Sequence, residues 1–168
     1  MVEKVKETEV SVTEVIDKLV GKGVQALDKF LQLNQEEIDY IVAKASVAAL
    51  DQHGTLAKFA IDETKRGVFE DKATKNLFAC EHVINDMRHL KTVGVIGEDE
   101  VNGLTMIADP LGVICGITPT TNPTSTTIFK ALISLKTRNP IIFSFHPSAL
   151  ECSKAAAMVV YEAAVKAG

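Results

Sequence analysis

Along the first half of the chain, apolar residues return at the spacing of a helical face. Val12, Ile16, Leu19, Leu27 and Phe30 predict a helix over Val12–Phe30, in which Gly21 and Gly23 each cost up to about 1 kcal/mol. A cleaner start follows at Asn34. This residue can cap, Glu37 stands at the third helical position, and Ile38, Ile41, Val42, Ala45 and Ala49 form one stripe up to Gly54. Two more helices are expected. One runs over 55–66 and ends at Gly67; the other runs over 70–88, with Phe78, Val83 and Ile84 among its apolar positions.

The second half changes period. Residues 93–96 and Leu104–Ala108 are short β-type runs flanking the acidic, glycine-containing stretch 97–103, which predicts a hairpin. Residues 113–117 read as a buried strand, followed by a loop at 118–122 and a helix over Pro123–Lys136. Ile141, Ile142 and Phe143 form a second buried strand. His146 and Pro147 turn the chain, and 148–167 is a last helix whose Ser148 and Glu151 have the spacing of a capping box. Strand, helix, strand, helix with short connections opens a doubly wound parallel sheet, so the fold class is α/β. Both strands are near-continuous apolar runs that expect cover on each face. Gly168 stands where a helix would end, so the sequence is expected to be the opening part of a larger domain, truncated at an element boundary.

Composition narrows the partners. The chain has 168 residues, 46% hydrophobic and 24% charged, which suits a globular protein of one core. Aromatics make up only 5%, so Ala, Val, Ile and Leu carry the packing. A formal net charge of −4 without any Lys/Arg run argues against nucleic acid, and no apolar run approaches the roughly 20 residues that span a bilayer. The polar, acidic N-terminus is unlike a secretory signal. Three cysteines, Cys80, Cys115 and Cys152, show no CxxC pattern, and reduced thiols in the cytoplasm are expected.

Candidate chemistry gathers where the predicted strands end. The stretch 118–127 is rich in Thr and Pro, yet a buried strand enters it and an amphipathic helix leaves it. Loops at the C-terminal ends of parallel strands are where such sheets bind ligands. Asn122, before Pro123, has two compatible readings: the N-cap of the next helix, or an amide aimed into a cleft to donate to a developing oxyanion. His146-Pro147 is a turn or a wall of a nucleotide pocket. Cys152, in the first turn of the last helix, sits where the helix field lowers a thiol pKa, although packing on an Ala-rich helix explains it better. Cys115 in a buried strand and Cys80 within a helix are expected to be inert. His82 and His89 lie seven apart on one predicted helix face, and no acidic or Cys partner completes a metal set. Neither G-x-G-x-x-G nor a P-loop occurs.

The run from Asp109 to Lys130, through Gly116-Ile117-Thr118-Pro119-Thr120-Thr121-Asn122-Pro123, resembles the aldehyde dehydrogenase superfamily. Its closest likeness is to the acylating aldehyde dehydrogenase half of bifunctional aldehyde–alcohol dehydrogenases. Ser134 to Ser144, with His146-Pro147, continues the likeness, as do Gly67-Val68-Phe69-Glu70-Asp71-Lys72 and Lys75-Asn76 upstream. The resemblance covers most of residues 34–168 and leaves 1–33 as an N-terminal helical extension.

It implies a Rossmann-like cofactor domain lacking the glycine fingerprint, of which this chain would hold the N-terminal helices, the hairpin and the first βαβα. It implies Asn122 as the oxyanion donor, Ile117, Thr118, Pro119, Thr120 and Thr121 along the nicotinamide side, and Ser144, His146 and Pro147 facing the adenosine ribose. Many hydrolytic members have Lys-Pro where His146-Pro147 stands here. The implied reaction converts a small aldehyde, CoA and NAD to acyl-CoA and NADH in a cytoplasmic homo-oligomer, filament-forming in some members of the family. Iron belongs only to an alcohol dehydrogenase half. The family's nucleophilic Cys lies downstream of this segment, so none of the three cysteines takes that role, and the 168 residues alone are expected to be inactive. A hydrolytic aldehyde dehydrogenase fragment and a non-catalytic assembly module are the competing readings. The mass of the expressed gene product separates them: a far longer chain with a downstream Cys supports the enzyme, and a native 168-residue product supports the module.

Overall fold

The computed structural model describes residues 11–168. Helix α1 (Val12–Phe30) is followed by α2 (Gln35–Asp51), α3 (His53–Thr64), α4 (Phe69–Cys80) and the short α5 (His82–Met87). Asn34 starts α2 as expected. Its side-chain oxygen accepts from the backbone N–H groups of Glu36 and Glu37 at 2.9 and 3.1 Å, and Glu37 accepts from the Asn34 N–H at 2.8 Å. Three backbone donors at the helix start are thereby satisfied at once. Gly54 does not end this stripe. Only Gln52 separates α2 from α3, and Gly54 lies within α3.

The single helix expected over 70–88 is two. The Ser46 hydroxyl, from α2, donates to the Cys80 carbonyl at 2.5 Å, capturing an oxygen at the very place where the helix breaks. The chain kinks at Glu81 (φ −102°, ψ −60°) before α5 resumes. His89 therefore falls beyond α5, and the common face expected for His82 and His89 does not exist. His82 instead stacks on Phe78, ring centroids 5.2 Å apart.

Strands β1 (Gly94–Asp99) and β2 (Leu104–Ala108) form the predicted antiparallel hairpin, irregular between Val95 and Gly97. Asp99 closes its loop by accepting from the N–H groups of Val101 and Asn102, both at 3.1 Å, and Gly103 turns at φ +66°. Then come β3 (Ile114–Ile117), α6 (Pro123–Lys136), β4 (Ile141–Ser144), a 3-10 turn at Pro147–Ala149 and α7 (Leu150–Ala167). Strands β3 and β4 pair in parallel, Ile114 opposite Ile141 and Ile117 opposite Ser144. Contrary to the expectation of strands covered on both faces, Cys115, Ile117 and Ser144 are exposed and the rest of the pair is largely half-buried. Within the described residues only two strands make this sheet, so part of its surface has no partner.

The core lies among helices. Ile41, Ala45 and Ala49 of α2, Leu56 of α3, Ala79 and Cys80 of α4, Ile128 and Leu132 of α6, and Ala156 and Val160 of α7 close into one cluster. So many alanines let the helix axes approach closely, while Ile128 and Leu132, fully buried, each contribute roughly 1.5–3 kcal/mol. A polar clamp ties α2 to α6. Lys136, 2% exposed, donates to Asp39 at 2.5 Å. Gln35 also donates to Asp39, at 3.0 Å, while its carbonyl accepts from the N–H groups of Thr92 and Val93.

Helix α1 meets the sheet at Gly23. A Cβ there would lie 2.8 Å from Cγ2 and 2.9 Å from Cγ1 of Val113, whereas Gly21 has nothing within 4 Å. Gly21→Ala is therefore expected to stabilise the chain by up to about 1 kcal/mol through helix propensity alone. Gly23→Ala should destabilise it, because the branched Val113 side chain cannot swing aside. Thermal unfolding of the two variants should shift in opposite directions; a rise for both would mean that α1 does not rest on Val113.

Candidate functional site

Parallel pairing sends the segments after β3 and β4 out of the same end of the sheet. The Thr118 N–H donates to the Ser144 carbonyl at 3.1 Å and extends the ladder by one bond. The structure thus brings residues 117–122 and 144–147 to one rim. Ile117 stands out at 67% exposure; Pro119, Thr121, Ser144, His146 and Pro147 are exposed, Thr120 and Asn122 half-buried, and Thr118 buried. The hydroxyls of Thr118 and Thr120 have no hydrogen-bond partner among the described residues.

Three lysines hold the first segment. Lys72, almost fully buried in α4, donates to the Thr121 carbonyl at 2.9 Å. Lys130 of α6 donates to the Ile117 carbonyl at 2.5 Å. Lys75, one turn beyond Lys72, donates to Oδ1 of Asn122 at 3.1 Å. Burial and then the Lys75 charge hold the Lys72 ammonium below its ordinary pKa. Next to Lys75, Asn76 donates to the His53 carbonyl at 2.9 Å and accepts from the Thr124 hydroxyl at 2.9 Å, which fixes the first turn of α6 to α4. With Pro123 at its first position, α6 also directs the positive end of its dipole at this loop.

Asn122 is not the side-chain cap that its position suggests. Its φ and ψ of −135° and 60° give no side-chain cap bond, because Oδ1 is engaged by Lys75. A lysine ammonium has only donors, so the amide oxygen must face it and the NH2 must point away. That NH2 makes no hydrogen bond within the described residues.

On the second segment, Nδ1 of His146 accepts from the Ser148 N–H at 3.1 Å, which leaves the proton on Nε2, facing outward. The expected Ser148/Glu151 capping box does not form. Pro147–Ala149 is a 3-10 turn, and Glu63 of α3 caps α7 instead, accepting from the N–H groups of Glu151 and Cys152 at 3.0 and 2.8 Å. Burial acts to raise the Glu63 pKa, but the hydrogen bonds from Cys152 and Glu151 prevail and hold it below its ordinary value of 4.5. Glu63 therefore adds stability that is full above that value and is lost as pH falls through its folded pKa. Glu63→Gln should lower stability near pH 7 by about 1 kcal/mol. It should also flatten the acid limb of a melting-temperature profile; an unchanged profile would remove Glu63 from the cap.

The same contact corrects the reading of Cys152. Its thiol is not lowered by the helix field. It is fully buried, and burial followed by the adjacent Glu63 carboxylate pushes it up to about 12. Burial likewise pushes Cys80 up to about 12. Cys115, expected to be buried, is exposed on β3. Among the described residues no group of three or more His, Cys, Asp or Glu could hold a metal ion, and no helix is long and apolar enough to cross a membrane.

Sequence reading placed the rim but passed over what holds it. Lys72, Lys75 and Asn76 at i, i+3 and i+4 lie on one side of α4, a polar trio of which Lys72 and Asn76 are buried and Lys75 is exposed, and that spacing was the available signal. Glu63 carried no such signal.

The parallel β3–α6–β4 unit thus presents, in the loop after its first strand, an asparagine amide at the rim. No protein-family model matches the chain. An acetylating aldehyde dehydrogenase from Geobacillus thermoglucosidasius superposes with a TM-score of 0.90 at 46% identity, over 92% of this chain and 34% of that one. A Rhodopseudomonas palustris propionaldehyde dehydrogenase, solved with bound CoA and an acylated cysteine, does so at 0.76 and 29% identity, over 91% of this chain and 35% of that one. In sequence, aldehyde-alcohol dehydrogenase 2 of Entamoeba histolytica is 64% identical over 160 residues, covering 94% of this chain. The chain is homologous to the N-terminal part of the bifunctional aldehyde–alcohol dehydrogenases and shares its fold with the acylating aldehyde dehydrogenases. It spans 18% of the length of that Entamoeba relative.

Proposed function

We propose that this segment forms one wall of the active site in a CoA-acylating aldehyde dehydrogenase, carried in a longer polypeptide like those of its relatives. The reaction joins an aldehyde such as acetaldehyde to CoA and transfers a hydride to NAD+, giving acyl-CoA, NADH and a proton. The carrying observation is the Asn122 amide, whose NH2 is left free at the rim by the Lys75 contact.

The nucleophile is a cysteine outside this segment, as the resemblance implies; Cys80 and Cys152 are buried with raised pKa values, and Cys115 stands on β3, ahead of the loop that carries Asn122. As that thiolate adds to the aldehyde carbon, negative charge builds on the aldehyde oxygen. Asn122 donates to that oxygen, and as the C–H bond breaks the carbonyl re-forms as a cysteine thioester, which the CoA thiol then cleaves, releasing the cysteine. Residues Ile117, Thr118, Pro119, Thr120 and Thr121 line the nicotinamide side. Ile117 offers an exposed apolar surface, and the unpartnered hydroxyls of Thr118 and Thr120 leave polar valence for a ligand. Ser144, His146 and Pro147 face the adenosine ribose, with Nε2–H of His146 as a donor. NAD, when bound, supplies the hydride acceptor.

Residues 34–168 then make the N-terminal portion of the NAD-binding domain and 1–33 its helical extension. The parent is a cytoplasmic homo-oligomer, and iron belongs only to an alcohol dehydrogenase half where the parent has one. The full-length enzyme, mixed with acetaldehyde, CoA and NAD+, should produce NADH and acetyl-CoA in equal amounts. NADH formation at the same rate without CoA, with acetate as product, would establish a hydrolytic enzyme instead.

A further inference from the structure

We propose that Lys75 is a positioning residue for the oxyanion donor: it fixes the orientation of the Asn122 amide and polarises it. The proposal rests on the reading of Asn122 as that donor. An asparagine amide can flip by 180° at little intrinsic cost, and only one of the two orientations offers NH2 to a substrate. At the start of a helix the usual restraint is a cap bond from the side-chain oxygen to a backbone N–H. Asn122 makes none. The 3.1 Å bond from Lys75 replaces it, and since an ammonium cannot accept, the flipped orientation would bring two donors together. The cation beside the carbonyl oxygen also draws charge toward that oxygen, which makes the opposite N–H bonds stronger donors.

The support beneath Lys75 is rigid. One turn before it, Lys72 holds the Thr121 carbonyl; next to it, Asn76 holds the Thr124 hydroxyl. Both sides of Asn122 are therefore tied to α4, and Lys75 acts on the side chain between them. Lys75 is itself exposed and belongs to no ion pair among the described residues, so its removal should leave the core intact.

The test is a double-mutant cycle in the full-length enzyme with Lys75→Met, Asn122→Ala and both together, plus Lys75→Arg. Lys75→Met should lower kcat about ten-fold, the scale of one charge-assisted hydrogen bond, with NAD+ affinity and melting temperature unchanged. Lys75→Arg, which can still donate, should recover most of the loss. In the Asn122→Ala background, Lys75→Met should change kcat by less than about two-fold, because there is no amide left to orient. Wild-type turnover in Lys75→Met, or an equal loss in both backgrounds, would overturn the positioning role. Wild-type turnover in Asn122→Ala would instead overturn the oxyanion reading, and the proposal with it.

Discussion

Asn122→Ala in the full-length enzyme is expected to lower kcat by roughly a hundred- to thousand-fold, about 2.7–4 kcal/mol of lost oxyanion stabilisation. NAD+ binding should barely change, since the contact strengthens only as charge builds on the aldehyde oxygen. The folded structure sharpens this expectation. Were Asn122 a cap, the substitution would cost about 1 kcal/mol of stability, but its oxygen serves Lys75 and not the helix. Melting temperature should therefore stay near wild type while turnover collapses. Asn122→Asp adds a control of opposite sign. A carboxylate would attract Lys75 more strongly yet repel the oxyanion, so this variant should be at least as stable as wild type and as slow as the alanine variant. An Asn122→Asp enzyme with normal turnover would place the residue away from the chemistry.

Asp39→Ala is expected to destabilise the chain by about 3 kcal/mol, the low end for breaking a buried ion pair, because Asp39 is itself 38% exposed. The cost arises from Lys136. At 2% exposure in the folded chain, its ammonium would be left without a counter-charge. Lys136→Met tests the cause, since it fills similar volume without burying a charge and should be close to neutral. In urea, Asp39→Ala should lower the midpoint with an unchanged slope. Equal losses in the two variants would assign the effect to packing and not to the stranded charge.

Periodicity and punctuation determined the order of elements. Asn34 with Glu37 announced α2, and the Asn34 side chain and Glu37 carboxylate do form the box. The hairpin at 104–108 and its partner, the parallel βαβα and the rim loops followed from runs whose period and flanking residues need no distant partner to be read. Short-range chemistry failed where a distant group took over a local role. Ser148 and Glu151 had the spacing of a capping box, but Glu63, from α3, reaches the same N–H groups. The helix over 70–88 was continuous in pattern, but Ser46 captures a carbonyl at its midpoint.

The site divides along the same line. Sequence by itself placed Asn122, the 117–121 loop and His146-Pro147 after consecutive strands, because a parallel sheet sends all such loops to one rim. It could not state what the Asn122 side chain does or what holds the loop backbone, since both are set by contacts across tens of residues. Lys75 turns the Asn122 amide outward, Lys72 holds the loop backbone, and Glu63 with burial raises the Cys152 thiol that helix position alone would have lowered. Position along the chain follows local propensity, which the sequence carries in full. Orientation and protonation depend on which groups the fold brings within about 3 Å, the reach of a hydrogen bond, and that was decided only by the tertiary structure.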